Sequence, residues 1–286
     1  MSSNTLHSEM ATTAPAKAVA ATDSPSWLVV GTLCRRELVR FFRQRNRVVG
    51  AIGQPTLFWI LFGAGLGPSF QLPGMENSSI SYREYFFPGT LVLILLFTAI
   101  FSTISIIEDR REGFLQSVLV APITRWSMVM GKLLGASTIA VAQGLLFLLL
   151  GLTIGLQFSP LVLLAIVAFL FVLSLALSAL GFVIAWQLDS TQGFHAVMSM
   201  FLLPMWLLSG AFFPATEGVL GWLVRFNPLS YGVAGLRQLL YFHAPQSLPP
   251  DTPSLALCVT VTVAFALVAF VAAWFSAGRR VAGDLL

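Results

Sequence analysis

From Leu133 to Leu188 the chain runs for 56 residues without a charged side chain. A bilayer core is about 30 Å thick, so a helix that crosses it needs roughly 20 apolar residues, far fewer than this stretch offers. Two crossing helices joined by a tight turn can use it, and Gln157-Phe158-Ser159-Pro160 supplies the break. The rest of the composition agrees. Charged residues make up only 10% of the chain and hydrophobic ones 57%. A soluble domain needs roughly 25% charged residues to face water, so a soluble enzyme, a disordered chain and a fibrous repeat are excluded.

Counting uncharged stretches in the same way places six spans, near residues 48–66, 86–107, 133–156, 161–186, 194–213 and 255–275. The expected fold is all-α. It is a polytopic membrane protein with six transmembrane helices, an N-terminal interfacial amphipathic helix, and re-entrant or interfacial helices before the last span. Residues 1–26 are rich in Ala, Thr, Ser and Pro and contain no apolar run of signal-peptide length, so a disordered cytoplasmic arm is expected there.

An even number of spans puts both termini on one side, and positive residues choose the side. Of the 16 Lys and Arg, all but Arg83, Arg225 and Arg237 fall on the side that holds the termini, the 108–132 loop and the turn at Asp189. Both termini are therefore expected in the cytoplasm. The net charge of +4 is explained by this placement, and no nucleic-acid partner is implied. Cys34 and Cys258 fall on opposite sides of the expected bilayer, so no disulfide is expected between them.

Three segments do not span. In Trp27–Arg47, the arginines Arg36, Arg40, Arg43 and Arg47 recur at helical spacing, with Val30, Cys34, Leu38, Phe41 and Phe42 away from that stripe. This is the pattern of a helix lying at the cytoplasmic interface, either as a positive anchor or as an elbow that also bears on a partner. The second segment, Glu108-Asp109-Arg110-Arg111-Glu112-Gly113-Phe114-Leu115, is dense in both signs of charge before it turns amphipathic. Phe114, Leu115, Val118 and Leu119 share one helical face, Pro122 ends that helix, and Thr124 is placed to cap the next. A docking segment and a surface helix with solvated charges both fit. The third segment, residues 214–250 on the outer side, holds apolar pieces too short to span, interrupted by Arg225, Asn227-Pro228 and Arg237.

Catalytic chemistry finds little support. The Gly131-Lys132 pair is followed by Leu133 rather than Ser or Thr, so no phosphate-binding loop is present. Ser209 and His195 lie about 21 Å apart along one helix, which excludes a serine–histidine pair within one subunit. His7, His195 and His243 are scattered, and no metal site is expected. The spans lack acidic ion sites of the kind gradient-driven carriers place in the membrane. Gln143, Gln192, His195 and Ser199 are candidate polar residues on a substrate path. Pro55, Pro88 and Pro204 fall within or at the start of spans one, two and five. Gly131/Gly135 is among the small-residue pairs that permit close helix approach.

Several of these pieces, in order, carry a family likeness. They are Arg35-Arg36-Glu37-Leu38 before span one, Phe87-Pro88-Gly89 opening span two, and Arg111-Glu112-Gly113-Phe114-Leu115 followed by Leu119-Val120-Ala121-Pro122. Gly131-Lys132, Leu208-Ser209-Gly210, Phe213-Pro214 and Asn227-Pro228-Leu229-Ser230-Tyr231 complete the set. From about Trp27 to the end, residues 27–286, the chain resembles the membrane subunits of type-2 ATP-binding-cassette exporters, closest to the drug-resistance and nodulation-factor branch. The resemblance implies a permease without its own ATPase site, in the bacterial inner membrane, moving a drug, lipid or saccharide-type substrate outward. Its partners would be a cytoplasmic ATPase subunit, which holds ATP and Mg, and a second copy or a similar permease within the lipid bilayer. It also implies that residues 108–132 form the coupling loop, with Glu108, Asp109, Arg110, Arg111, Glu112, Gly113, Phe114, Leu115, Pro122 and Arg125 bearing on the ATPase. Phe114 departs from the family, where many members carry a small polar residue. A gradient-driven transporter and a non-transporting membrane scaffold are the alternatives.

Overall fold

The computed structural model of the chain describes residues 26–66, 81–212, 218–245, 248–249 and 251–278. The expected N-terminal arm, but for Ser26, lies outside the described residues, as does the Phe213-Pro214 step. All regular structure among the described residues is helical: α1 (Ser26–Arg43), α2 (Arg45–Gly65), α3 (Tyr82–Ser102), α4 (Ile104–Arg111), α5 (Phe114–Val120), α6 (Arg125–Leu148), α7 (Pro160–Gln187), α8 (Thr191–Leu207), α9 (Val219–Phe226), α10 (Pro228–Leu240) and α11 (Leu255–Gly278). A short 3₁₀ segment, Leu149–Ile154, prolongs α6.

The helices start where the sequence supplies caps. Ser81 and Glu84 form a reciprocal capping box at α3, the Ser81 hydroxyl accepting from the Glu84 amide and the Glu84 carboxylate from the Ser81 amide. Thr124 accepts from the Ser127 amide at α6, as its position suggested. Ser159 caps α7, where Pro160 occupies the first turn, and Asn227 caps α10 ahead of Pro228.

Helix α3 forms the centre of the bundle and is buried along nearly its whole length against α2, α6, α7 and α10. Helix α11 packs on α7, α10 and α6 through small residues. Cys258, Thr262, Ala266, Ala269, Ala273 and Ala277 recur every three to four positions and are all buried. Small side chains on this face let the α11 backbone approach its neighbours closely, which is how helices associate in a solvent as apolar as themselves. The opposite faces of α2, α8 and α11 stay apolar and exposed, for example at Leu61, Met200, Phe201, Leu267 and Phe275. That distribution is suited to lipid.

Among the described residues, five helical stretches are long and apolar enough to cross a membrane: Val48–Gly65, Tyr82–Arg111, Arg125–Ile154, Pro160–Gln187 and Leu255–Gly278. The expected fifth span, near 194–213, corresponds to α8. It has 17 residues and ends at Leu207, where the chain turns through Leu208–Gly210. At 1.5 Å per residue this is about 25 Å of helix, short of a full hydrocarbon core. The second span differs the other way. It continues past Ile107, because α4 follows α3 after a bend at Thr103 and stays helical to Arg111. The hydroxyls of Ser102 and Thr103 donate back to the carbonyls of Thr98 and Ile100 at 2.6 Å each, which accommodates the bend. The charged residues 108–111 are thus helix rather than loop. The true turn comes at Gly113, whose φ of 76° suits glycine alone.

At the N-terminal end of α3, aromatic side chains hold the non-spanning helices in place. Pro88 has no N–H to give the carbonyl of Glu84, and the Tyr241 hydroxyl donates to that carbonyl instead, at 2.7 Å. Trp206 Nε1 donates to the Gly89 carbonyl at 2.8 Å, and Asn227 Nδ2 to the Met205 carbonyl at 2.6 Å. Arg237 on α10 is buried, its guanidinium 4.4 Å from the Tyr85 ring centre and bonded to the Gly210 carbonyl. Helix α10 is therefore packed into the bundle, whereas α9 buries none of its residues.

Candidate functional site

The opposite end of the α3–α4 helix carries a buried charge cluster. Asp109 on α4 is fully buried and is the hub. Its carboxylate accepts from Arg36 at 2.6 and 2.9 Å, from Arg40 at 2.7 Å and from Lys132 at 2.5 Å. Lys132, near the start of α6, also donates to Glu37 of α1 at 2.8 Å and to the Ser105 hydroxyl at 3.3 Å. Arg40 reaches Glu108 at 2.7 Å and Glu112 at 3.4 Å. Three helices are thereby tied at one point: α1 through Arg36, Glu37 and Arg40, α4 through Glu108 and Asp109, and α6 through Lys132. A buried cation or carboxylate is tolerated only when paired and bonded, and each of these has a partner.

Close packing makes this possible. A Cβ at Gly131 or Gly135 would stand 2.8 Å from the Leu33 Cβ or 2.7 Å from the Glu37 Cβ, so the two glycines of α6 form the seat for α1. Burial, reinforced by the adjacent Glu37 carboxylate, pushes the Cys34 thiol above its ordinary pKa. The expected interfacial helix is thus seated by a buried stripe of Leu33, Glu37 and Phe41 on the bundle. Phe42, Val39 and Leu28 remain exposed.

The rest of the segment packs around the hub. Arg110 is buried and turned the other way. It donates to the Trp186 and Leu188 carbonyls at 2.8 and 3.3 Å and pairs with Asp189 at 3.1 Å, so it caps the end of α7. Arg111 bonds the Asp189 carbonyl at 2.9 Å. Phe114 lies under Arg36, with 3.7 Å from the guanidinium carbon to the ring centre. Leu115 is buried and Val118 is partly buried against the core. What faces outward is the far edge of α5 and the turn after it: Leu119, Val120, Pro122, Arg125 and Trp126 are exposed. The α5 helix stops at Val120, Ala121 being extended ahead of Pro122. Arg43 is exposed, and the side chain of Arg47 lies outside the described residues.

Above the cluster lies a cavity of about 500 Å³ between the end of α1, α2, α3–α4 and α8. Phe41, Phe58, Phe97 and Phe101 line it with Gln44, Gln54, Thr98, Ser102, Glu108, Thr191 and His195. The structure separates the four candidate path residues. His195 lines the cavity and packs on Phe101, with ring centres 5.0 Å apart. Gln143 is buried behind the wall and accepts from the Thr98 hydroxyl. Gln192 and Ser199 are exposed on α8 and are not among the lining residues. Sequence reasoning passed over Lys132 as a partner of Asp109, and Glu37 as a second partner of Lys132. The available signal was charge in the wrong place: Lys132 opens an otherwise uncharged run, and Glu37 is a lone acid in an arginine-rich helix. Among the described residues no group of His, Cys, Asp and Glu is arranged to hold a metal ion.

Lys132 is committed to two carboxylates, so the Gly131-Lys132 pair has no free ammonium for a phosphate. The arrangement suits mechanical transmission better than bond chemistry. Asp109 ties α1 and α6 to α4, and α4 follows α3, which lines the cavity and forms the bundle centre. Known proteins share this chain's pattern. It is 30% identical to the transport permease ycf38 of Cyanophora paradoxa, over 74% of this chain and 73% of that one. It is 25% identical to nodulation protein J of Rhizobium leguminosarum bv. trifolii, over 77% and 83%, and 27% identical to the multidrug ABC transporter permease YbhR of Escherichia coli (strain K12), over 54% and 43%. The family model described as ABC-2 type transporter matches residues 29–241, and the chain belongs to that family.

Proposed function

We propose that this chain is the permease subunit of an ATP-driven exporter, with ATP and Mg held by a separate cytoplasmic subunit. It moves a drug, lipid or saccharide-type substrate outward and works beside a second copy or a similar permease. The observation that carries this reading is the continuous path from the exposed edge of α5, through the buried Asp109 hub, to the helix that walls the cavity. Leu119, Val120 and Trp126 form the apolar face on which the ATPase subunit sits, flanked by Arg125 and Glu112. Residues 108–111 lie behind that face and transmit the load, held in place by α1 and by the end of α7. His195 and Thr98 border the substrate path, with Gln143 supporting Thr98 from behind. Both termini lie in the cytoplasm and the spans cross the inner membrane.

Val120 is 85% exposed, so changing it leaves the bundle intact. The test is recovery of the chain from native membranes in mild detergent. The unaltered chain brings down a nucleotide-hydrolysing subunit, and Val120→Glu loses it while keeping expression and melting behaviour. Recovery with no such subunit sinks the proposal. Equal recovery by Val120→Glu removes the assigned docking face.

A further inference from the structure

Helix α1 has two faces, and the charge cluster accounts for one of them. We propose that the other binds the headgroups of acidic phospholipids through Arg35, Arg43 and Arg45, with Leu28, Val39 and Phe42 settled at the boundary of the acyl chains. The proposal goes beyond the exporter reading and does not depend on it.

Leu33, Glu37 and Phe41 form the buried stripe of α1. Leu28, Arg35, Val39 and Phe42 recur at helical spacing on the opposite side, and all four are exposed. Arg43 and Arg45, at the end of α1 and the start of α2, are exposed as well. Arg36 and Arg40 are taken up by Asp109, Glu108 and Glu112 on the flank toward α4. Arg35, Arg43 and Arg45, by contrast, make no hydrogen bond or ion pair among the described residues. The one acid of α1, Glu37, is buried and bonded to Lys132, and neither Asn46 nor Arg47 is acidic. The outward face therefore carries positive charge with no counter-charge of its own. Its level is set by the chain. The membrane-crossing part of α2 begins at Val48, so at 1.5 Å per residue Arg45 stands about 5 Å before it, at the depth of lipid phosphates. Cations interleaved with exposed apolar side chains beside a span suit a membrane surface, and an acidic leaflet adds attraction that a zwitterionic one lacks. A free anion would neutralise the arginines and leave Leu28, Val39 and Phe42 in water, whereas a lipid satisfies both.

A bimane label on Val39→Cys, in a full chain whose Cys34 and Cys258 are replaced by Ala, reports on this face. The chain is placed in phosphatidylcholine nanodiscs that contain a minor fraction of nitroxide-labelled lipid, either phosphatidylglycerol or phosphatidylcholine, with the nitroxide high on one acyl chain. Quenching followed against that fraction gives the relative association of the two lipids. Phosphatidylglycerol is expected to be favoured about fivefold or more at low salt, and less at high salt. Arg35→Gln, Arg43→Gln and Arg45→Gln together should bring the ratio to about one. The matching lysine triple should keep the preference, because attraction to an acidic surface counts Lys and Arg alike. Thermal melting in the same nanodiscs is expected to be unchanged in both triples, as all three arginines are exposed. Equal quenching by the two lipids in the parent chain overturns the proposal. So does a preference that survives the glutamine triple, or one that the lysine triple fails to keep. The assay contains no ATPase, so each of these results leaves the exporter reading where it stands.

Discussion

Lys132 is a charged residue at the head of an apolar helix, and its surroundings explain why it is tolerated. Its ammonium is buried, yet it has two carboxylates and a hydroxyl within 3.3 Å. Removing one partner of such a group costs far more than removing an exposed one, because the remaining charges stay out of water. Lys132→Met strips a cation from both Asp109 and Glu37 and is expected to destabilise the chain by about 3–5 kcal/mol. Glu112→Gln removes a carboxylate whose side chain is 60% exposed and whose contact with Arg40 is long, so its cost should stay below about 1 kcal/mol. Thermal melting of both variants in one detergent measures the difference. Equal losses would mean the cluster is wetter than the packing indicates.

At the scale of the element, the most informative helix is α1. Its arginine stripe suggests a helix spread on a membrane surface, but its contacts are with protein. Arg36 and Arg40 turn inward to Asp109, and the two glycines of α6 admit its backbone. Gly135→Val should therefore dislodge α1 without touching a charge, because the new side chain would occupy the place of the Glu37 Cβ. Hydrogen exchange across Ser26–Arg43 is expected to speed up by orders of magnitude, while α7 and α11 keep their protection. Gly53→Ala, where an added Cβ meets nothing within 4 Å, is the matched control and should leave exchange unchanged. Protection of α1 retained in Gly135→Val would show that the ion pairs alone hold it.

For the whole molecule, the two ends of the bundle differ in chemistry. One end is closed by tyrosine and tryptophan bonds to backbone carbonyls, the other by a network of charges. In the proposed orientation the charged end faces the cytoplasm, as the positive-inside rule requires. A single cysteine at Ser117 on α5 should react with an impermeant maleimide only after membranes are opened. One at Leu220 on α9 should react in intact cells. Both are placed in a chain whose Cys34 and Cys258 are replaced by Ala, and both positions are exposed. The opposite pattern would invert the topology and place α5 out of reach of any cytoplasmic motor.

Membrane residence and helical class were legible in the sequence because they depend on local quantities. The length of an uncharged run decides whether a helix can cross, and the break at Ser159-Pro160 is written in adjacent residues. The cap at Thr124 was readable for the same reason. Ends that depend on side-chain pairing were not. The helix of span two runs on to Arg111 because partners elsewhere in the chain neutralise its charges, and α8 stops at Leu207 although the apolar sequence continues. The candidate site was legible as a list of residues, with its arrangement hidden. Asp109 pairs with Arg36 across a separation of 73 residues, and with Lys132 on a third helix. Burial of a charge is a property of the assembled bundle, since a carboxylate that reads as a solvated loop residue becomes a hub only when three helices close around it.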